Sequence, residues 1–206
     1  MKKIFTLIAT IALMLTSCQD YFDINRDPNS PSQEQLSAGV ILPGAEMQLA
    51  TSYGDFLRIT GGYFAQHYCQ LFGTSNYVDY SQFKMSATRS GSNYTQLASR
   101  GLNNLKIVQE MAVKSEDWGT NLAVAVLRAF TYQLFVDAYG EIPYTESLNP
   151  AEFPSPKYDD GLTIYNGIIN EIDDALSKVI GDEAVATNFL FPGARAQAWV
   201  EFANAL

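Results

Sequence analysis

The sequence predicts an all-α protein, and three stretches of helical periodicity support that prediction. Residues 121–146 are apolar on nearly every face at helical spacing, which is typical of a helix buried among other helices. Residues 93–114 and 162–180 each place their aliphatic side chains on one face, as surface helices of a globular domain do. Arg128 and Asp137 interrupt the first stretch, so we interpret it as a core helix rather than a membrane span.

Residues 1–17 have the pattern of an export signal. Two lysines precede an apolar stretch that is too short for a stable bilayer anchor but fits a signal peptide. The stretch ends at Leu15-Thr16-Ser17-Cys18, which resembles the bacterial lipobox, in which the cysteine becomes the lipid-carrying N-terminus. We therefore predict lipidation at Cys18, and several acyl chains would anchor the protein firmly. The alternative is an ordinary secreted protein with a chance cysteine.

Residues 18–31 form a turn-rich tether, and residues 32–206 form one helical domain. Without the two lysines of the signal peptide, the net charge of −9 becomes −11. This acidity argues against nucleic acid and against electrostatic attachment to anionic lipid, but it is compatible with neutral ligands such as sugars. Cys69 is the one cysteine left after lipidation, so stability must come from a packed core.

The domain begins with two predicted helices. Ser32 offers an N-cap for the first, which Pro43 should kink or split. Residues 55–72 read as the second, with His67 as a hydrogen-bonded structural residue on it. Residues 72–92 then read as a long ordered loop, with few apolar residues and many Tyr, Ser, Asn and Gly.

This loop supplies the candidate ligand-binding residues. They are aromatic rings with amide and carboxylate neighbours: Tyr68, Asn76, Tyr77, Asp79, Tyr80 and Gln82. Such a set suits a sugar, because a ring can stack on the apolar face of the sugar while polar groups bind its hydroxyls. The alternative is a loop that merely packs its tyrosines onto the helical body.

The final helix is predicted from residue 193 to the last residue, with Trp199, Phe202 and Leu206 at helical spacing. The chain ends within that helix, so we expect a longer protein and expect these three side chains to lack the helices that cover them. One histidine and one remaining cysteine make a metal site improbable, and no glycine-rich phosphate loop or nucleophile elbow is present. We therefore predict no metal and no cofactor.

Three runs carry a family resemblance. They are DINRDPNSP at residues 23–31, RAFTYQLFVDAYGEIPYTESL at residues 128–148 and ARAQAWVEFANAL at residues 194–206. Together they resemble the SusD/RagB family, specifically its SusD-like branch described as starch-binding and outer-membrane-associated. The resemblance implies tetratricopeptide-like helical pairs with long ordered loops, of which this chain is the N-terminal part.

The same resemblance implies a function. Such a protein is lipid-anchored in the outer membrane and faces the cell surface. It binds an oligosaccharide, or a peptide as in the RagB branch, and delivers it to a SusC-like TonB-dependent transporter without catalysing a reaction. Two alternatives stay open from the residues themselves. One is a secreted glycan hydrolase that uses paired carboxylates among the 22 acidic residues, and the other is a helical scaffold for partner proteins.

Overall fold

The computed structural model describes residues 36–73, 76–86, 88–89, 91–193 and 195–206. The predicted signal peptide, Cys18 and the tether lie outside these residues. The helices are α1 (Ala38–Phe64), α2 (Val78–Ser81), α3 (Gly91–Thr95), the π-helical segment π1 (Gln96–Leu102), α4 (Asn103–Lys114), α5 (Trp118–Tyr139), α6 (Gly161–Lys178) and α7 (Ala196–Ala205). The described part of the chain contains no β-strand and has one isolated antiparallel bridge, so the predicted all-α class is confirmed.

Helix α5 is the centre of the fold, as its sequence indicates. It packs against α4, α6 and α7, and the side chains from Leu122 to Leu127 are at most 2% exposed. The Asp117 carboxylate caps its first turn by accepting a hydrogen bond from Thr120 N at 3.0 Å. The helix stops at Gly140, whose φ of +78° favours glycine. By length and composition α5 could span a bilayer, but 56% of its most apolar stretch is buried inside the protein.

Arg128, a polar residue in the middle of α5, joins this helix to α6. The Arg128 Nε lies 3.2 Å from Glu171 Oε2, and its Nη2 lies 3.4 Å from Oε1. The Tyr144 hydroxyl donates to the same Oε1 at 2.7 Å. Burial, and then the hydrogen bond to Glu171, raise the pKa of the Tyr144 phenol, so the hydroxyl stays protonated and remains a donor.

Helix α1 corrects the prediction of two separate helices. It runs unbroken for 27 residues through Pro43. Pro43 lies in the second turn, where its missing N–H removes a single backbone bond close to the helix end. Its burial, together with that of Leu42 and Ala45, holds the turn in place. The predicted N-cap Ser32 is outside the described residues, and Ser37 occupies the N-cap position instead.

The end of α1 corrects the prediction that the second helix extends to residue 72. The backbone turns at Gln66, whose φ is +59°, and the amides of His67 and Tyr68 both donate to the Gly62 carbonyl. The Tyr68 ring then lies directly on Gly62, where an added Cβ would be 2.2 Å from the ring. A glycine at residue 62 therefore leaves room for the Tyr68 ring to pack on the last turn of the helix, while the chain reverses at Gln66. His67 is therefore an exposed turn residue and not part of a helix.

The predicted helix at residues 93–114 is present, but a π-helical segment lies inside the run from α3 to α4. Segment π1 buries Leu97 and Leu102 and packs against α1. Gly101 sits so close to Leu49 that an added Cβ would lie 2.8 Å from its Cδ2. The widened turn thus brings the backbone of π1 against α1.

The connection from α5 to α6 is fixed by one carboxylate. Ile142 and Asp159 form the antiparallel bridge, and Asp159 is 6% exposed. Its Oδ2 accepts hydrogen bonds from Tyr144 N at 3.1 Å, from Thr145 N at 2.8 Å and from Thr145 Oγ1 at 2.9 Å. Burial alone would raise the pKa of Asp159, but these hydrogen bonds and nearby Lys157 outweigh it and lower that pKa.

Helix α7 corrects the prediction that its apolar face lies uncovered. Trp199 is completely buried and meets the Phe191 ring edge-on, with the ring centroids 5.0 Å apart. Phe202 is half-buried, and Leu206 alone of the three is exposed, at 39%. The residues between α6 and α7 fold back to cover the tryptophan, which helical periodicity could not reveal.

Candidate functional site

The candidate site lies on residues 76–89, where short helix α2 is flanked by two residues in left-handed backbone. Tyr77 has φ of +60° and Phe83 has φ of +55°. Bulky residues rarely adopt this region, and they keep it only where the surroundings hold them there, often at ligand sites. The prediction of a long ordered loop at residues 72–92 is wrong in part, since α2 and the first residues of α3 lie within that range.

An aromatic cluster fastens this segment to α1. Tyr63 of α1 lies at its centre, with ring centroids 5.6 Å from Tyr77, 5.9 Å from Tyr80 and 5.9 Å from Tyr68. Tyr80 is only 4% exposed, whereas Tyr68 is 43% exposed. Tyr80 thus anchors the segment, and the rings open to a ligand are those of Tyr77, which is half-buried, and Tyr68.

Arg89 lies over two rings of this cluster, those of Tyr80 and Tyr77. Its guanidinium carbon lies 5.2 Å from the Tyr80 centroid and 5.7 Å from the Tyr77 centroid. Its Nε is 3.2 Å from Asp79 Oδ2. The cation therefore contacts two rings and a carboxylate at once at the surface.

These groups border an open cavity of about 420 Å³, which we call the loop cavity. It is lined by Asn76, Val78, Asp79, Gln82, Lys84 and Arg89. All three polar residues predicted from the sequence are among these six. The predicted tyrosines are not: Tyr77 and Tyr80 lie beneath Arg89, and Tyr68 packs on Gly62.

Sequence reasoning missed both cations of the loop cavity. Lys84 and Arg89 fall within the predicted loop, in the stretch KMSATR. Two basic residues this close together, in a chain with only 13 Lys and Arg residues, are a signal from which the sequence could have predicted a cationic site. What the sequence could not show is that Arg89 returns over the rings to meet Asp79.

The loop cavity has the chemistry of a binding site for a polar small molecule. Its volume lies within the range of about 300–1,000 Å³ that small-ligand sites occupy. Amides both donate and accept hydrogen bonds, a carboxylate accepts them, and the two cations donate. Among the described residues no group of three His, Cys, Asp or Glu side chains is arranged to hold a metal ion.

A second polar cavity, of about 440 Å³, lies beside the Arg128–Glu171 pair. Lys106, Glu110 and Tyr144 also line it. Its charges are already matched, because Lys106 pairs with Glu110 at 3.2 Å and Arg128 pairs with Glu171. These contacts join α5 to α6 and adjacent turns of α4, so we interpret this cavity as structural.

The described residues thus form an all-α body with an open polar cavity on the segment that follows α1. The family that matches this chain is the SusD-like family described as "starch-binding associating with outer membrane", over residues 28–206. The chain belongs to this family, and the resemblance found in the sequence is confirmed.

A solved structure supports the same family. The structure "Bacteroidetes AC2a SusD-like" is 25% identical to this chain and superposes with a TM-score of 0.62. The match covers 82% of this chain and 32% of the solved one, so this chain spans about a third of that protein's length. No curated protein matches this chain.

Proposed function

We propose that this chain belongs to a surface-exposed outer-membrane lipoprotein that binds an oligosaccharide nutrient and delivers it to a SusC-like TonB-dependent transporter. The family description, with its starch-binding and outer-membrane terms, supports the coarse role. The observation that carries the site is the loop cavity, which Asn76, Asp79 and Gln82 line together with Arg89, itself paired with Asp79.

The geometry suits capture of a polyhydroxylated ligand. Side-chain amides and charged groups around an open cavity can replace the water that solvates sugar hydroxyls. Binding of this kind requires no reaction, so the protein acts as a receptor and not as a hydrolase.

The cellular location in this proposal depends on Cys18. Its lipid chains would tether the domain to the outer membrane, with residues 18–31 as a spacer. The domain would face outward and hold its ligand above the transporter. A helical scaffold for partner proteins would share the anchor but would bind no glycan.

The test is glycan binding by the full chain, measured by calorimetry against a panel of neutral and acidic oligosaccharides and peptides. Asn76→Ala and Gln82→Ala each remove one exposed hydrogen-bonding group from the loop cavity. Each should weaken the affinity about fivefold, because a hydrogen bond contributes about 1 kcal/mol. Asn166→Ala, on the exposed side of α6, is the matched control and should leave affinity unchanged.

The panel separates the alternatives. Binding to peptides and to no glycan would retain capture and exclude the carbohydrate. Turnover of a bound glycan that is abolished by a single Asp or Glu substitution would establish a hydrolase and overturn the proposal. Glycan binding that ignores both loop-cavity variants would place the site elsewhere on the protein.

A further inference from the structure

The loop cavity has a charge opposite to that of the protein that carries it. Two cations, Lys84 and Arg89, line it with a single carboxylate, that of Asp79. The chain as a whole has a formal charge of −9. A local excess of positive charge in this cavity therefore calls for an explanation in terms of the ligand.

The two cations differ in how their charge is balanced. Asp79 is engaged by Arg89 at 3.2 Å. Lys84 has no carboxylate within ion-pair distance among the residues that the structure describes. Its backbone amide donates to the Asp79 carbonyl at 2.7 Å, which holds the main chain of Lys84 next to Asp79. Lys84 thus supplies the unbalanced charge of the cavity on an exposed side chain beside the Asp79–Arg89 pair.

We infer that the ligand is an acidic oligosaccharide whose sugar carboxylate binds between Lys84 and Arg89. This inference rests on the proposed function and specifies its substrate class. A guanidinium presents its N–H groups in a planar fork that matches a carboxylate, and an ammonium adds a mobile point charge. Asn76 and Gln82, on the same cavity, would bind the hydroxyls of the same or the next sugar ring.

A neutral glycan would use only part of this arrangement. Its hydroxyls would accept hydrogen bonds from Lys84 but would bring no negative charge to pair with the ammonium. The rest of the acidic surface would repel an anion at long range, but salt near physiological strength limits that repulsion to roughly 8 Å. Within the cavity the two nearby cations decide the interaction.

The experiment compares matched ligands and matched variants of the full chain. A panel of uronic-acid oligosaccharides is titrated alongside the same oligosaccharides with their carboxylates methyl-esterified, and alongside neutral glucans. Esterification removes the charge and retains the ring. We expect the acid form of the best ligand to bind at least tenfold more tightly than its ester.

Lys84→Gln should remove most of that preference. It should weaken binding of the acid about fivefold to tenfold and leave binding of the ester within twofold. Lys114→Gln, at an exposed lysine near the end of α4, makes the same charge change away from the cavity and should alter neither affinity. Because Lys84 is exposed, its replacement should not change the thermal midpoint, which is measured for every variant.

Each outcome has one meaning. Tightest binding to a neutral glucan, unaffected by Lys84→Gln, overturns this inference and leaves the proposed function intact. An acid preference that persists in Lys84→Gln also overturns it, because the carboxylate would then lie elsewhere. Absence of binding to any glycan overturns the proposed function, and the inference fails with it.

Discussion

Replacing Arg128 by methionine should destabilise the protein through the carboxylate that remains. Methionine keeps the length and most of the packing of the arginine stem, so the change mainly removes charge. The Arg128 side chain is 12% exposed and that of Glu171 is 27% exposed. In Arg128→Met, Glu171 keeps its hydrogen bond from Tyr144 but loses its ion-pair partner at a half-buried position on the wall of the second polar cavity.

The magnitude follows from that burial. Removing one partner of a fully buried pair costs about 3–5 kcal/mol. Glu171 retains some access to solvent, so we expect about 2–3 kcal/mol for Arg128→Met. In a domain of this size that is a fall of about 4–12 °C in the thermal midpoint. Urea unfolding followed by helical circular dichroism gives the free energy of unfolding directly.

A second substitution tests the reasoning itself. Glu171→Gln removes the charge and keeps an oxygen that can accept from Tyr144. In Arg128→Met/Glu171→Gln no buried charge is left unpaired, so the double variant should be more stable than Arg128→Met alone. A double variant that is as unstable as Arg128→Met, or less stable, would show that lost packing, and not the stranded carboxylate, causes the destabilisation.

Three further outcomes are expected. Asp159→Asn should lower the free energy of unfolding by about 1–3 kcal/mol because three donors lose a carboxylate acceptor. Since the pKa of Asp159 is lowered in the folded protein, its stabilising contribution is present above pH 4 and is lost as the pH falls below that value. The difference in free energy of unfolding between wild type and variant, measured in urea, should therefore shrink in acid. Burial raises the pKa of Glu46 despite its hydrogen bond from Phe189 N, so its stabilising contribution is greatest below about pH 4.5 and is lost as the pH rises. In Glu46→Gln the free energy of unfolding should therefore depend less on pH between pH 4.5 and pH 7 than it does in the wild type. The same pH dependence in both proteins would contradict this. Cys18→Ala should abolish labelling by radioactive palmitate and release the protein from the membrane fraction, and a mutant that stays membrane-bound beside an unlabelled wild type would refute the lipobox.

The sequence predicted the elements whose signals are local. The buried helix α5 could be read from its composition, and its ends from Asp117 and Gly140. The amphipathic pattern of α6 likewise placed Ile164, Ile168 and Ile172 in the core, where they are buried. In these places the hydrophobic period, the cap and the stop residue agree, so tertiary packing had nothing to override.

The misses come from contacts between distant residues. Pro43 reads as a helix breaker, yet the packing of α1 holds it in a continuous helix. Segment π1 has no sequence signature, since it depends on how close Gly101 comes to Leu49. Of the residues that line the loop cavity, the sequence predicted only Asn76, Asp79 and Gln82. Arg89 was missed because a cation–π contact between residues some ten positions apart produces no periodic pattern in the sequence.

The hydrogen bonds of Asp159 also govern how the chain moves. Tyr144 and Thr145 lie outside any helix, in a connection that would ordinarily exchange its amide hydrogens with solvent within seconds. Because both amides donate to a carboxylate that is itself shielded from water, we expect their hydrogens to exchange only when the two ends of the connection separate at Asp159. This connection should therefore open as one cooperative unit and not residue by residue.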